Sequence, residues 1–292
     1  MIYKCGDFSG SAAEFADRLA ELAVCALLTE VCITPKPGLV DRANCGAHED
    51  MDIFTFVGSA ASLFPCFRDI AMSTLTYDGN IGSLLSHLTP IGLRGEGRMF
   101  QATGGINTHK GAIFSLGILC AAAAFMAKQP GNRDEKALRN TCIAMAKDRT
   151  RDGDPESDNE TKGRMAYLQH GISGILGEAA AGFPNVFQTA LPHLRKHLQS
   201  GSTIEDAGVA ALLHLITTVD DTNIIARCGM EILREIQSGV KAEIAAFHCP
   251  QQYITYAQAL DQRFIRQNIS PGGSADLLAA ALFVHGLFPH GG

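Results

Sequence analysis

Residues 111–127 read GAIFSLGILCAAAAFMA and form the most apolar run of the chain. Alanine and leucine are strong helix formers, and the run is shorter than the ~20 residues that a helix needs to cross a bilayer. The run therefore predicts a helix that is buried inside a globular protein.

Helical periodicity continues on both sides of this run. Apolar residues recur at helical spacing from Phe15 to Ala26, directly after Ser11 and Glu14, which have the spacing of a capping box. Further helices are predicted over residues 52–75, 111–128, 134–147, 164–181, 186–199, 204–219, 223–238, 252–267 and 275–287. No stretch alternates with period two, and no repeat of fixed length is visible. We therefore expect an all-α protein with a single domain over residues 1–292.

The composition excludes several classes of protein. A hydrophobic share of 46% over 292 residues is too high for a disordered chain, and a net charge of −6 argues against a nucleic-acid or membrane-surface binder. The nine cysteines form no CxxC pair, and the first residues lack an apolar signal-peptide core. These features predict a cytoplasmic protein with reduced core cysteines. The almost wholly polar residues 148–163 predict an exposed loop.

A proline-rich segment, TPKPGLVDR at residues 34–42, joins two predicted helices. Its two prolines hold Lys36 on a rigid connection, where the lysine either binds a phosphate or is simply solvated. Glu30 lies just before this segment on the apolar face of the first helix. A buried carboxylate there needs a cation, a hydroxyl group, a metal or the backbone of the segment as its partner.

Two glycine-rich segments lead into apolar helices. TGGINTHKG at residues 103–111 offers backbone N–H groups and the side chains of His109 and Lys110 to an anion, although it does not match a Walker A loop. In the second segment, SPGGSAD at residues 270–276, we interpret Ser274 as a helix N-cap. Asp276 is then an acid in the first helical turn, where its charge suits the helix dipole. The glycines of both segments either let the backbone approach an anion or allow close packing of the backbone against a neighbouring element.

The segment VDDTN at residues 219–223 places two adjacent carboxylates between apolar helices. Mg²⁺ commonly binds one or two carboxylates together with substrate phosphates, whereas Asp221 alone could be a helix N-cap. Arg227 follows Asn223 at i+4, so both side chains face the same way. Glu178 lies in a small-residue helix, and His48 lies in a polar loop, where it is either an acid–base group or an ordinary surface histidine.

Taken in order, these segments resemble the triphosphoribosyl-dephospho-CoA synthase family. TPKPGLVDR, NCGAHEDM, TGGINTHKG, DTN and SPGGSADLLA follow one another as in that family, and the resemblance covers residues 14–287. Two positions depart from the family pattern: Leu176 replaces an arginine and Cys228 replaces a glycine. The resemblance implies a cytosolic, all-α bacterial enzyme that joins ATP to 3′-dephospho-CoA and releases adenine. Its product would be the precursor of the acyl-carrier prosthetic group of citrate lyase or malonate decarboxylase.

This reaction suggests roles for the candidate residues. In a single inverting displacement at C1′ of ATP, Asp41 or Glu30 would be the general base, and Mg²⁺ would be bound by Asp220, Asp221 and Glu178. The expected ATP- and phosphate-binding residues are Lys36, Asn107, His109, Lys110, Asn223, Arg227, Gly272, Gly273 and Ser274. We expect the product to pass to a holo-acyl-carrier-protein synthase, and a homodimer is one expected state. The alternatives are a Mg-dependent hydrolase of an N-glycosidic or phosphoester bond, and a non-catalytic nucleotide-binding relative.

Overall fold

A computed structural model of the protein describes residues 10–147 and 162–289. Within these ranges the secondary structure is helical and contains no β-strand, which confirms the predicted all-α class. The helices are α1 (Ala12–Cys32), α2 (Ile53–Ser62), α3 (Phe64–Leu75), α4 (Ile81–Thr103), α5 (Lys110–Lys128), α6 (Glu135–Ala146), α7 (Lys162–His170), α8 (Gly174–Ala180), α9 (Leu191–Gln199), α10 (Ile204–Ile216), α11 (Thr222–Cys228), α12 (Met230–Ile244), α13 (Pro250–Arg266) and α14 (Gly272–Leu287). One turn of π-helix, Asn185–Ala190, precedes α9. Most of the predicted polar loop, residues 148–161, lies outside the described residues.

Helix α5 lies in the core, as its composition predicted. All but two of its residues from Ala112 to Met126 are buried, and α1, α3 and α14 pack around it. A helix that is apolar on every side is stable only when its whole circumference is covered. By length and composition alone, Ile53–Leu75 and Lys110–Lys128 could each cross a membrane, but 72% of the apolar window of the second is buried inside the protein. That burial is typical of a core helix.

Helix α4 is the main element that the sequence pattern did not predict. Pro90 lies inside it, and glycines interrupt its apolar stripe, so its helix propensity is low. Tertiary packing outweighs this propensity, because Leu84, Leu88 and Met99 are buried. Gly95 also lets α4 approach α3 closely, since a Cβ atom there would lie 2.4 Å from the Sγ atom of Cys66.

The cysteines only partly follow the sequence prediction. Within the described residues, all eight cysteines are free of disulfides. Cys66, Cys120 and Cys142 are buried in the core, where burial raises the pKa of the Cys142 thiol and also raises that of Cys66 to about 12. Three other cysteines are exposed, so the prediction that the cysteines are core residues is wrong for these three. The exposed residues are Cys32, Cys45 and Cys249.

Three histidines form a cluster between α9 and α10. The rings of His193 and His214 are stacked with centroids 3.3 Å apart, and His197 contacts Tyr253 edge-on at 5.1 Å. Burial lowers the pKa of all three histidines, and neighbouring positive charge lowers it further, to about 3 for His214. The cluster is therefore neutral at physiological pH.

We expect this cluster to make the protein sensitive to acid. An unfolded histidine with a pKa near 6.5 binds a proton below that pH, whereas folded His214 does not until about pH 3, so stability falls as the pH drops below 6.5. Because the ring is only partly buried, we expect His214 to account for about 1 kcal/mol of lost unfolding free energy at pH 5. Urea unfolding at pH 7.5 and 5.0 measures the loss, which should be smaller in His214→Gln; an equal loss in both proteins would contradict the prediction.

Candidate active site

The segments selected from the sequence meet around the N-termini of α5, α11 and α14. Asp221 caps α11 and also accepts a hydrogen bond from the backbone N–H of Ser274, at 2.9 Å, in the first turn of α14. The guanidinium group of Arg227 donates to the carbonyl oxygen of Ala47 at 3.0 Å and to Oδ1 of Asn268 at 2.9 Å. Residues far apart in the chain thus come together at these helix N-termini.

The proline-rich segment is organised by Asp41. Its Oδ2 atom accepts the backbone N–H of Lys36 at 2.9 Å, and its Oδ1 atom accepts those of Ala43 and Asn44 at 2.7 and 3.1 Å. The side chain is buried. With three backbone donors bound to its two oxygens, the Asp41 carboxylate primarily holds the conformation of this turn.

Lys36 and Glu30 form a buried ion pair. Lys36 is only 1% exposed and Glu30 only 3%, and the Lys36 Nζ atom lies 2.5 Å from Oε1 of Glu30. Burial raises the pKa of Glu30, while the lysine charge acts in the opposite direction. The partner of Glu30 is therefore a cation, one of the predicted alternatives. Lys36 is neutralised inside the protein and is not exposed to bind a phosphate.

Asp261 of α13 is a structural residue that the sequence analysis missed. Its Oδ1 atom accepts the backbone N–H of Gly38 at 2.9 Å, and its Oδ2 atom accepts the side-chain amide of Asn44 at 2.9 Å. Gly38 has φ +68°, and a Cβ atom there would lie 2.1 Å from the carbonyl oxygen of Ile269, so only glycine fits. The missed signal was a lone aspartate on the apolar face of α13, between Ala257 and Phe264.

An acidic cavity of about 230 Å³ lies next to these loops. Four carboxylates line it, those of Glu178, Asp220, Asp221 and Asp276. The remaining lining residues are Ile172, Ser173, Gly174, Ile175, Gly177, Asn185, Thr218, Val219, Thr222, Gly273 and Leu277. No lysine or arginine lines this cavity in the part of the chain that the structure describes, so its wall is acidic. The predicted phosphate-binding cations Lys36, Lys110 and Arg227 are not among its lining residues.

Asp221 joins two helix N-termini. Its Oδ1 atom accepts the backbone N–H groups of Asn223 and Ile224, and its Oδ2 atom accepts both the backbone N–H and the hydroxyl group of Ser274. Ser274 was predicted to be the N-cap of α14, but the helix begins at Gly272 and Ser274 lies in its first turn. The contact with Gly273 is tight, because a Cβ atom there would lie 3.1 Å from Oδ2 of Asp221 and the carboxylate would have to shift slightly.

Glu178 and Asp220 are bound by fewer groups than Asp221. The side-chain amide and backbone N–H of Asn185 donate to Glu178, and Asp220 forms an ion pair with Arg234 at 2.7 Å. Burial raises the pKa of Glu178, and the nearby charge of Asp220 raises it further. Among the described residues, no three His, Cys, Asp or Glu side chains form a ready-made metal site. Glu178, Asp220 and Asp221 therefore share a cavity wall without forming one coordination set.

Asp276 was explained from sequence only as a first-turn acid, yet it reaches the N-terminus of α5. A Cβ atom on Gly111 would lie 2.0 Å from Oδ2 of Asp276, and the backbone N–H of Ala112 donates to this carboxylate. Burial raises the pKa of Asp276 well above its ordinary value, and the charges of Glu30 and Asp221 raise it further. A carboxyl group with a raised pKa in a cavity wall is suited to acid–base chemistry.

The glycine-rich segment before α5 holds one buried and one exposed basic side chain. His109 is 3% exposed, and burial together with the charge of Lys36 lowers its pKa to about 3, so its ring carries no charge for a phosphate. Lys110 is half-exposed and forms an ion pair with Glu96 at 2.9 Å. The Asn107 side chain accepts the backbone N–H of Lys110 at 3.2 Å. Lys110 is thus the cation of this segment that solvent can reach.

Asn223 and His48 complete the contacts among the loops. A Cβ atom on Gly272 would lie 2.7 Å from Nδ2 of Asn223, so the glycine lets this amide lie against α14. The His48 Nε2 atom lies 2.9 Å from the Ser270 hydroxyl group, and Arg227 approaches its Nδ1 atom at 3.4 Å. These contacts fix the position of the segment that precedes α14.

We expect Gly111→Ala to reduce catalysis at least tenfold, because its methyl group would displace the carboxylate of Asp276. The matched control is Gly97→Ala on the exposed side of α4, where a Cβ atom meets nothing within 4 Å. That control should keep its activity and gain up to about 1 kcal/mol in unfolding free energy. Steady-state kinetics and urea unfolding of both variants check the prediction, and unchanged activity in Gly111→Ala would contradict it.

Comparison with known proteins shows the family of this chain. The model of the family described as ATP:dephospho-CoA triphosphoribosyl transferase matches residues 16–291. The chain is 40% identical over 256 residues to 2-(5''-triphosphoribosyl)-3'-dephosphocoenzyme-A synthase of Pectobacterium atrosepticum, covering 87% of this chain and 84% of that protein. It is 39% identical over 286 residues to a Vibrio cholerae protein named "Probable 2-(5''-triphosphoribosyl)-3'-dephosphocoenzyme-A synthase", covering 96% and 91%.

A crystal structure from Archaeoglobus fulgidus, of a protein provisionally assigned as a triphosphoribosyl-dephospho-CoA synthase, is also similar. It matches with a TM-score of 0.48 and 21% identity, over 77% of this chain and 95% of that one. The family match spans residues 16–291, and the two bacterial relatives each match most of the chain. The chain therefore belongs to the ATP:dephospho-CoA triphosphoribosyl transferase family.

Proposed function

We propose that the chain transfers the triphosphoribosyl group of ATP to the 2′-hydroxyl group of 3′-dephospho-CoA and releases adenine. A bond forms between that hydroxyl oxygen and C1′ of ATP, and the C1′–N9 bond breaks with its electron pair leaving on adenine. The hydroxyl proton needs an acceptor. The observation that carries the proposal is the acidic cavity at the helix N-termini, in a chain whose family match spans residues 16–291.

Asp276 is the carboxylate that best suits the role of general base. Asp41 is held by three backbone N–H groups and Glu30 by Lys36, so neither of these predicted bases has a free position towards the cavity. Asp276 lines the cavity and is partly accessible from it. Its raised pKa makes its carboxylate a stronger proton acceptor than an ordinary aspartate.

Glu178 and Asp220, with Asp221 behind them, are the residues that would hold Mg²⁺ with ATP. Burial is the main cause of the raised pKa of Glu178, and the repulsion from Asp220 that adds to it is relieved when a divalent cation joins the two carboxylates. Because Mg²⁺ typically takes one or two carboxylates and completes its shell with phosphate oxygens and water, a three-residue protein site is not required. When bound, the ion would neutralise part of the triphosphate charge.

The remaining phosphate contacts are assigned to the rim of the site. The first backbone N–H groups of α14, at Gly272 and Gly273, have no partner within the helix and suit an anion. Lys110 can exchange Glu96 for a phosphate, since this ion pair is partly exposed. Arg227, Asn223 and Asn107 position the loops that carry these groups.

The proposal extends to the cellular context that the family suggests. The product would pass to a holo-acyl-carrier-protein synthase and become the prosthetic group of citrate lyase or malonate decarboxylase. We place the enzyme in the cytoplasm, and we propose a homodimer as its assembly.

The test is incubation of the protein with ATP, Mg²⁺ and 3′-dephospho-CoA, followed by chromatography for adenine and mass analysis of the adduct. We expect adenine and adduct in equal amounts, and neither product when 3′-dephospho-CoA is omitted. Adenine release without 3′-dephospho-CoA would indicate a hydrolase, and ATP binding without adenine release would indicate a non-catalytic protein. Either result would overturn the proposal.

A further inference from the structure

His109 is held by two hydroxyl groups in a buried relay. The Thr108 hydroxyl donates to the Ser59 Oγ atom at 2.7 Å, and this Oγ atom lies 2.7 Å from Nδ1 of His109. Because Ser59 accepts from Thr108, its own proton is available for Nδ1. We assign the His109 proton to Nε2, the tautomer in which Nδ1 accepts the Ser59 proton, since a neutral imidazole carries one N–H group.

The Nε2 atom of His109 is buried and has no hydrogen-bond partner among residues 10–147 and 162–289. An unsatisfied buried donor costs about 1–3 kcal/mol, so a donor held in this way indicates a partner that the protein itself does not supply. The edge of the Phe56 ring system lies beside the imidazole, with centroids 5.0 Å apart and planes at 83°. The imidazole thus has Phe56 as an apolar neighbour, and the charge of Lys36 in the Lys36–Glu30 pair acts on it.

The chemistry of the missing partner follows from the charges around His109. The ring stays neutral because burial lowers its pKa to about 3. The charge of Lys36 is already balanced by Glu30, so an added phosphate would find no free cation there. A neutral heteroaromatic nitrogen needs only one hydrogen-bond donor and tolerates an apolar neighbour such as Phe56.

We propose that the Nε2–H group of His109 binds N3 or N7 of the adenine base of ATP, the acceptor nitrogens nearest the bond to ribose, and stabilises that base as it leaves. This inference rests on the proposed function and replaces the expected phosphate contact of His109 with a contact to the base. His109 lies two residues before Gly111, against which Asp276 packs, so the adenine donor and the proposed base belong to the same end of α5.

The hydrogen bond strengthens during the reaction. As the C1′–N9 bond breaks, its electron pair enters the adenine ring and increases the negative charge on the ring nitrogens. Neutral imidazole is too weak an acid to give up its Nε2 proton, so His109 donates a hydrogen bond and keeps the proton. The proton that adenine finally takes up balances the one that the 2′-hydroxyl group loses, with solvent as the carrier.

The test compares ATP with 3-deaza-ATP and 7-deaza-ATP, each of which lacks one ring-nitrogen acceptor. We expect wild-type kcat/KM to be at least tenfold lower for one analogue than for ATP. His109→Phe should lower kcat/KM for ATP by 10- to 100-fold and should use ATP and that analogue equally well. The control is His87→Phe, an exposed histidine that also contacts a serine hydroxyl group, and it should keep the wild-type preference.

Ser59→Ala provides a second, independent variant, because it removes the group that orients His109. It should lose part of the preference between ATP and the analogue while keeping the wild-type circular dichroism spectrum, even if His109→Phe fails to fold. A preference that persists in Ser59→Ala and in folded His109→Phe would overturn the inference. If the wild-type protein releases no adenine, the proposed function fails. The affinities of the same proteins for ATP and for both analogues, measured by calorimetry, then still show whether His109 contacts the base.

Discussion

Replacing Asp276 by asparagine is expected to lower kcat by 10²- to 10⁴-fold, the usual contribution of a general base. Asparagine keeps the size of the side chain and its ability to accept the N–H group of Ala112, but it cannot accept a proton from the 2′-hydroxyl group. The affinity for ATP should change only a few-fold. Rates of adenine release and calorimetric titration with ATP measure the two effects separately.

Asp41→Asn is the matched control for this substitution. Its carboxylate binds three backbone N–H groups of its own turn, so we expect its replacement to reduce stability more than the turnover of the folded protein. A large loss of kcat in folded Asp41→Asn, together with near-normal turnover in Asp276→Asn, would return the role of base to Asp41.

Replacing Lys36 by methionine is expected to cost about 3–5 kcal/mol of unfolding free energy, because it leaves Glu30 buried without its partner. The double variant Glu30→Gln/Lys36→Met removes both charges and should recover much of this loss. Urea unfolding of the two single variants and the double variant measures the coupling. Additive losses in the double variant would show that the two side chains do not depend on each other.

A helix could be predicted from the sequence where its local residue pattern and its tertiary packing favour the same structure. Helix α5 was predicted because an apolar surface on every side of a helix requires burial, and it is buried. Helix α4 was missed because Pro90 and its glycines lower its propensity, while packing against α3 stabilises it. That contribution depends on residues distant in sequence, and the local pattern does not contain it.

The sequence also indicated which segments carry specific backbone conformations, but not the contacts of single side chains. Glycines, prolines and clustered polar residues are concentrated in these loops, because such residue types serve tight turns and helix starts. The role of Lys36 depended on the burial of its pair with Glu30, and that of Asp261 on a contact with Gly38 across 223 residues. Partner and burial decide whether a charged residue is structural or reactive, and both are properties of the folded chain.

The most direct measurement is a crystal structure of Asp276→Asn with Mg²⁺ and ATP bound. We predict the triphosphate and its metal ion beside Glu178 and Asp220, C1′ of the ribose facing residue 276, and the adenine ring within hydrogen-bonding distance of Nε2 of His109. Nucleotide bound away from the acidic cavity, with Glu178 and Asp220 free of metal and phosphate, would contradict the proposed active site.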